Sequence, residues 1–138
     1  VNSKARRIFR AINIDTNSLM DCDLELLTNL AQRYPFIAHG LQTGQIRRNV
    51  LNLALYRLYM NDFLKNNSLL NHDYSNLVRY LAPTAFGIPL QIYAYSKEVF
   101  LVEFEETQSQ IIEHILQTLS DFGLKIYQSA TQLSADNL

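Results

Sequence analysis

A single cysteine, Cys22, leaves this chain unable to close an internal disulfide, which suits a reducing compartment. Its plain reading is a small, half-buried side chain. Glycine and proline are scarce, at 4 and 3 of 138 residues, which argues against low complexity. Gly40 and Gly44 are also too sparse for a dinucleotide or phosphate-cradling loop. Charge of one sign is missing too. Lys and Arg number 12 against 13 Asp and Glu, a net −1, so no global field draws in nucleic acid or acidic lipid. No apolar run approaches the roughly 18–20 residues that span a bilayer. The opening, Val1-Asn2-Ser3-Lys4-Ala5-Arg6-Arg7, is polar and lacks the apolar stretch of a secretion signal. Because the first residue is Val rather than Met, the expectation is an excised or processed piece, with the decisive function able to lie upstream.

What is present supports a folded domain. Hydrophobic residues make up 48% and charged residues 18%, enough for a real core, and the length suits one domain. Residues 5–15 alternate as a strand, with Ile8, Ile12 and Ile14 on one face beside Arg10, and Phe9 and Ala11 on the other. Apolar residues on both faces predict a central strand. Asp21 or Asp23 can cap a helix running to residue 32, with Pro35 just past its stop. Residues 36–48, with two glycines, read as a long loop. A strong helix is predicted over 49–66 with Asn49 as its N-cap, then strands over 75–82 and 88–95 joined as a hairpin. Pro89 cannot donate to a ladder and belongs at a strand start or on an unpaired side. A second helix over 103–122 ends at Gly123, and residues 124–128 form a last short strand. The predicted class is therefore α+β, a ferredoxin-like βαββαβ arrangement. It has a four-stranded antiparallel sheet, two helices on one face, and an inserted helix and long loop after the first strand. The predicted organisation is residues 1–15 as first strand continuing from an upstream β-domain, and 16–48 as the insertion. Residues 49–129 form the rest of the domain, and 130–138 a flexible tail.

No chemistry announces itself in the pattern. His39, His72 and His114 stand at no metal-site spacing, and Glu113 and His114, being adjacent, do not share a helix face. His114 reads as a helix-surface or interface histidine. Glu103, Glu105 and Glu106 crowd a helix start, where they offset the macrodipole. Tyr93 and Tyr95 could stack bases as in an RNA-binding sheet, but the aromatic-basic signature of that class is absent and the net charge is nearly neutral. An acylphosphatase-like enzyme needs a phosphate-cradling loop after the first strand, where this chain places a helix and loop. The basic doublets Arg6-Arg7 and Arg47-Arg48 read as solvated element ends, or as subunit or lipid contacts. The sequence assigns no catalytic, cofactor-binding or metal-ligating residue and no cofactor. A small-molecule-sensing regulatory module of the same fold class is the alternative reading.

Several ordered stretches nevertheless resemble one family. Residues 6–15 (RRIFRAINID) look like a basic strand leaving a β-domain. Arg47-Arg48, then Asn52-Leu53 and residues 56–59 (YRLY), are similar to an RR…NL…(F/Y)RxY helix. Residues 78–84 (VRYLAPT) and 87–95 (GIPLQIYAY) resemble VRQLAPT…GLPLEIYxF. Glu105, Gln108, Ile111 and His114 fit ExxQxxIxxH, and residues 122–128 (FGLKIYQ) resemble FGLRxxQ. Together they resemble the miniconductance branch of the small-conductance mechanosensitive channel family, over nearly the whole chain. That family commonly has Trp where Leu101 stands, and Asp where Gln110 and Glu113 stand; this chain has no Trp. The resemblance implies no enzyme. It implies a cytoplasmic vestibule domain on the inner side of the bacterial plasma membrane, self-associating with identical subunits around a sevenfold axis, and a monomer is an admissible state for the isolated piece. The membrane is reached through pore helices upstream of Val1, and nucleic acid is not a partner.

Overall fold

The computed structural model describes residues 5–129, and within them the sheet is organised on one strand. That strand, β3 (Ile88–Ser96), pairs antiparallel with β1 (Arg6–Ile14) on one side and β2 (Leu77–Tyr80) on the other, in the order β1-β3-β2. The registers run from Arg6↔Ser96 to Ile14↔Ile88, and from Leu77↔Tyr93 to Tyr80↔Leu90. Alternation predicts β1 as a central strand, yet β3 takes that place. The second face explains it: Phe9 and Ala11 of β1 remain exposed there, whereas Gln91 of β3 is buried.

The fold is α+β. Its α-helices among the described residues are α1 (Leu24–Arg33), α2 (Pro35–Thr43), α3 (Asn52–Lys65) and α4 (Leu101–Thr118), with 3₁₀ turns at Thr16–Ser18 and Leu119–Phe122. None is long and apolar enough to cross a membrane. Asp23 caps α1 as expected, its carboxylate accepting the Leu26 N–H at 2.8 Å. Gly123 ends the second 3₁₀ turn at φ 75°. The core draws Ile8, Leu90, Ile92 and Ala94 from the sheet, Leu53, Tyr56, Met60 and Leu64 from α3, and Phe104, Ile111 and Ile115 from α4. Arg10, which interrupts the apolar face of β1, reaches its edge and shares a surface cleft with Glu105 and Glu113 of α4.

Three expectations are corrected. Residues 36–48 are not a long loop, because α2 occupies Pro35–Thr43. Pro35 supplies the pre-set φ of a first helical position rather than marking only the end of α1. Gly40 sits inside the helix because a Cβ there would come within 2.3 Å of Ile46 Cδ1, and Gly44, at φ 81°, closes it. Secondly, α3 starts after Leu51 rather than at an Asn49 cap. Thirdly, the last strand shrinks to one bridge, Ile14↔Ile126, enclosed by Asp15 N–H to Lys125 O at 2.8 Å and Tyr127 N–H to Asn13 O at 2.9 Å. Ile126 remains 40% exposed, so lengthening this pairing buries little apolar surface. The tail at 130–138 lies outside the described residues.

Candidate functional site

The helices α3 and α4 cover one face of the sheet through the core residues named above, and side chains of the other parity form the opposite, open face. Cross-strand register sets Arg7 opposite Tyr95, Phe9 opposite Tyr93, and Leu77 on the far side of Tyr93. The rings meet edge to face: Phe9–Tyr93 at 6.0 Å and 73°, Tyr93–Tyr95 at 5.8 Å and 78°. Tyr74, from the turn before β2, stacks on Tyr95 at 4.5 Å and 23°. Phe9 is 50% and Tyr74 43% exposed, so the patch presents aromatic surface as well as contact between its own rings.

Two guanidinium groups are interleaved with these rings. Arg7 lies 4.8 Å from the Phe9 centroid and 5.6 Å from that of Tyr93, and Arg79 lies 5.1 Å from Tyr93. Arg79 is fixed by donating from Nε to Gln91 Oε1 at 2.8 Å, which gives the buried Gln91 a partner. The hydroxyls of Tyr93 and Tyr95 share a hydrogen bond of 3.2 Å. That bond, then Arg7, holds the Tyr93 phenol below its ordinary range, while the same bond raises Tyr95. The result is a cationic aromatic surface whose rings and guanidinium groups hold one another in place.

The sequence-selected polar residues do not converge. Arg6 leaves its doublet partner and joins β1 to α4, lying over Phe104 at 4.3 Å and donating to Val99 O at 3.3 Å. Glu105 accepts from Gln108 and Glu106 from Gln110, at 3.0 and 3.3 Å, which separates the glutamates into local helix contacts. Cys22 is buried, and desolvation, then Asp23 and Asp21, pushes its thiol up to about 11. At neutral pH it is a protonated core side chain. His39 is exposed on α2, and His72 contacts Asn67 O through Nε2 at 2.9 Å. Among the described residues, no group of three or more His, Cys, Asp and Glu could hold a metal ion.

His114 is the exception to the surface pattern. Its ring stacks on Phe63 at 3.9 Å and 6°, and its Nε2 meets the Tyr59 hydroxyl at 2.7 Å. Desolvation lowers its pKa below 6.5, the model-compound value. The folded protein therefore binds this proton less readily than the unfolded chain does. The His114 contribution is complete above pH 6.5 and is lost as pH falls through the folded pKa. Urea midpoints at pH 7.5 and 5.5 are expected to fall less in His114→Gln than in the parent; equal falls would remove His114 as the cause.

Sequence reasoning found Tyr93 and Tyr95 on one face but left Phe9, Tyr74 and Arg79 out of the patch. Phe9 was recoverable from the two-residue period once β1 and β3 were paired, whereas Tyr74 arrives from a turn that no period marks. No family model matches the chain.

Proposed function

We propose that this domain is the cytoplasmic vestibule and self-association part of a mechanosensitive channel that releases solutes under hypo-osmotic membrane tension. The observation that carries the reading is the open sheet face, where Phe9, Tyr93 and Tyr95 are interleaved with Arg7 and Arg79. Identical subunits around a sevenfold axis dock through this face, and the membrane is reached through helices upstream of Val1. The domain faces the cytoplasm beneath a bacterial inner membrane and performs no catalysis. Tension acts on the membrane-embedded part, while packing between these domains biases the closed–open equilibrium.

The finer fold reading is the ferredoxin-like arrangement with an abbreviated fourth strand. The Ile14↔Ile126 bridge supports it by setting the C-terminal segment antiparallel to β1, on the edge away from β3. The test uses the full-length parent in liposomes. Tension-gated current is expected, and Phe9→Ser with Tyr93→Ser is expected to weaken subunit assembly, with about 2 kcal/mol lost at a well-packed aromatic anchor. A parent without upstream membrane helices, or liposomes without tension-gated current, overturns the channel reading. Intact assembly in the double variant overturns the assignment of this face.

A further inference from the structure

A cleft of about 690 Å³ opens between α3 and the outer edge of β2. Its lining includes Arg57, Lys65 and Arg79 together with His72, and it contains no Asp or Glu. This concentration of positive charge does not follow from composition, since the whole chain carries a net −1. Arg57 and Lys65, eight residues apart on α3, occupy the same side of that helix. Among the described residues the salt bridge present is Arg33–Asp121, elsewhere in the fold, so the three cleft cations have no carboxylate partner. Like charges gathered around one concavity repel one another, and an anion that enters relieves that repulsion.

The wall is also organised for a ligand with a planar part. Arg57 lies 5.6 Å from the Tyr80 ring centroid, and Tyr74 and Tyr80 line the same space with much of their surface exposed. Arg79 is held through Nε by Gln91, with its guanidinium 5.1 Å from the Tyr93 ring centroid, and it lines the cleft from the sheet side. An added peptide strand is a poor fit. Asn61 already accepts the Val78 N–H at 2.7 Å and donates to Val78 O at 3.5 Å, so that part of the strand edge is taken. The cleft volume falls within the roughly 300–1,000 Å³ of small-molecule sites.

We propose that this cleft binds a phosphorylated small molecule of the nucleotide class. Arg57, Lys65 and Arg79 pair with its phosphates, and the exposed tyrosine rings offer a stacking surface for its base. This goes beyond the vestibule reading and does not depend on it. Calorimetric titration of the 138-residue chain with ATP, AMP, inorganic phosphate and a short oligoribonucleotide tests it. The expected result is saturable ATP binding that weakens with added salt and is about tenfold tighter than phosphate, with Arg57→Gln/Lys65→Gln losing about tenfold. Thermal melting of the double variant without ligand controls for its fold, and Lys65→Gln alone, an exposed change, serves if the pair unfolds. Equal affinity for phosphate and ATP overturns the nucleotide class. Oligoribonucleotide binding tighter than ATP by a similar factor makes the cleft part of a nucleic-acid surface and overturns the small-molecule site. No binding, or binding unchanged in the folded variant, overturns the site altogether.

Discussion

Replacing Asn52 with alanine is expected to lower unfolding free energy by about 3–5 kcal/mol, a large share of the roughly 5–15 kcal/mol typical of a domain. Asn52 is fully buried and joins three parts of the chain. Its Oδ1 accepts the Met20 N–H at 3.0 Å and the Leu53 N–H at 2.9 Å. Its Nδ2 donates to Ser18 O at 3.0 Å and Phe122 O at 2.9 Å. The amide thus ties the turn after β1, the start of α3 and the end of the second 3₁₀ turn into one knot. Alanine removes the buried bonds to the Leu53 N–H and the Phe122 carbonyl along with the part-buried ones to Met20 and Ser18, and an unpaired buried polar group costs about 1–3 kcal/mol. Asn52→Asp is a sharper probe because it keeps the shape and removes the donors. An ionised carboxylate facing two carbonyl oxygens is penalised, so its folded pKa rises and stability falls as pH climbs above about 4, the unfolded carboxyl value. Urea denaturation at pH 5 and pH 8 measures both effects. A loss below about 1 kcal/mol in Asn52→Ala would show that the knot is not a keystone.

Asn52 also marks where legibility stopped. The period of apolar residues marks the body of α3 but not its start, and the resemblance singles out Asn52-Leu53, yet periodicity treats a buried asparagine as an interruption of the stripe. Its partners lie 32 and 70 residues away in sequence, so their identity depends on the finished fold. The same limit explains residues 36–48. Gly40 and Gly44 look alike as letters, but one makes room for Ile46 and the other supplies a left-handed helix end. Local rules did succeed where the cause is local, as at the Asp23 cap and the Gly123 turn. Strand identity was legible from alternation, whereas strand length was not: β2 is four residues long rather than eight. For the candidate site, β3 alternation paired Tyr93 with Tyr95, but only the register with β1 brings Phe9 and Arg7 beside them. Surface clefts such as the one between Arg57 and Arg79 need helix and strand in relative position, which no single-chain period encodes.

Glycine at position 87 answers to both backbone conformation and space, and Gly87→Ala is expected to cost about 2–4 kcal/mol. Its φ is 103°, where a side chain is strained, and an added Cβ would stand 2.3 Å from the Ile14 carbonyl oxygen. That neighbour is backbone at the end of β1, so it cannot swing aside as a flexible side chain would. The same corner holds the Thr84–Gly87 pairing of the β2–β3 turn and the Tyr127 N–H to Asn13 O bond, with Phe86 and Tyr127 edge to face at 6.0 Å. Displacing Ile14 therefore strains the hairpin and the C-terminal bridge together. Gly44→Ala is the matched comparison, because its φ is 81° but nothing lies within 4 Å of an added Cβ. Backbone strain alone is expected there, about 1–2 kcal/mol. The difference between the two urea midpoints isolates the close approach to Ile14. If Gly87→Ala costs no more than Gly44→Ala, the corner yields without resistance, and contact with β1 is not what demands glycine at the start of β3.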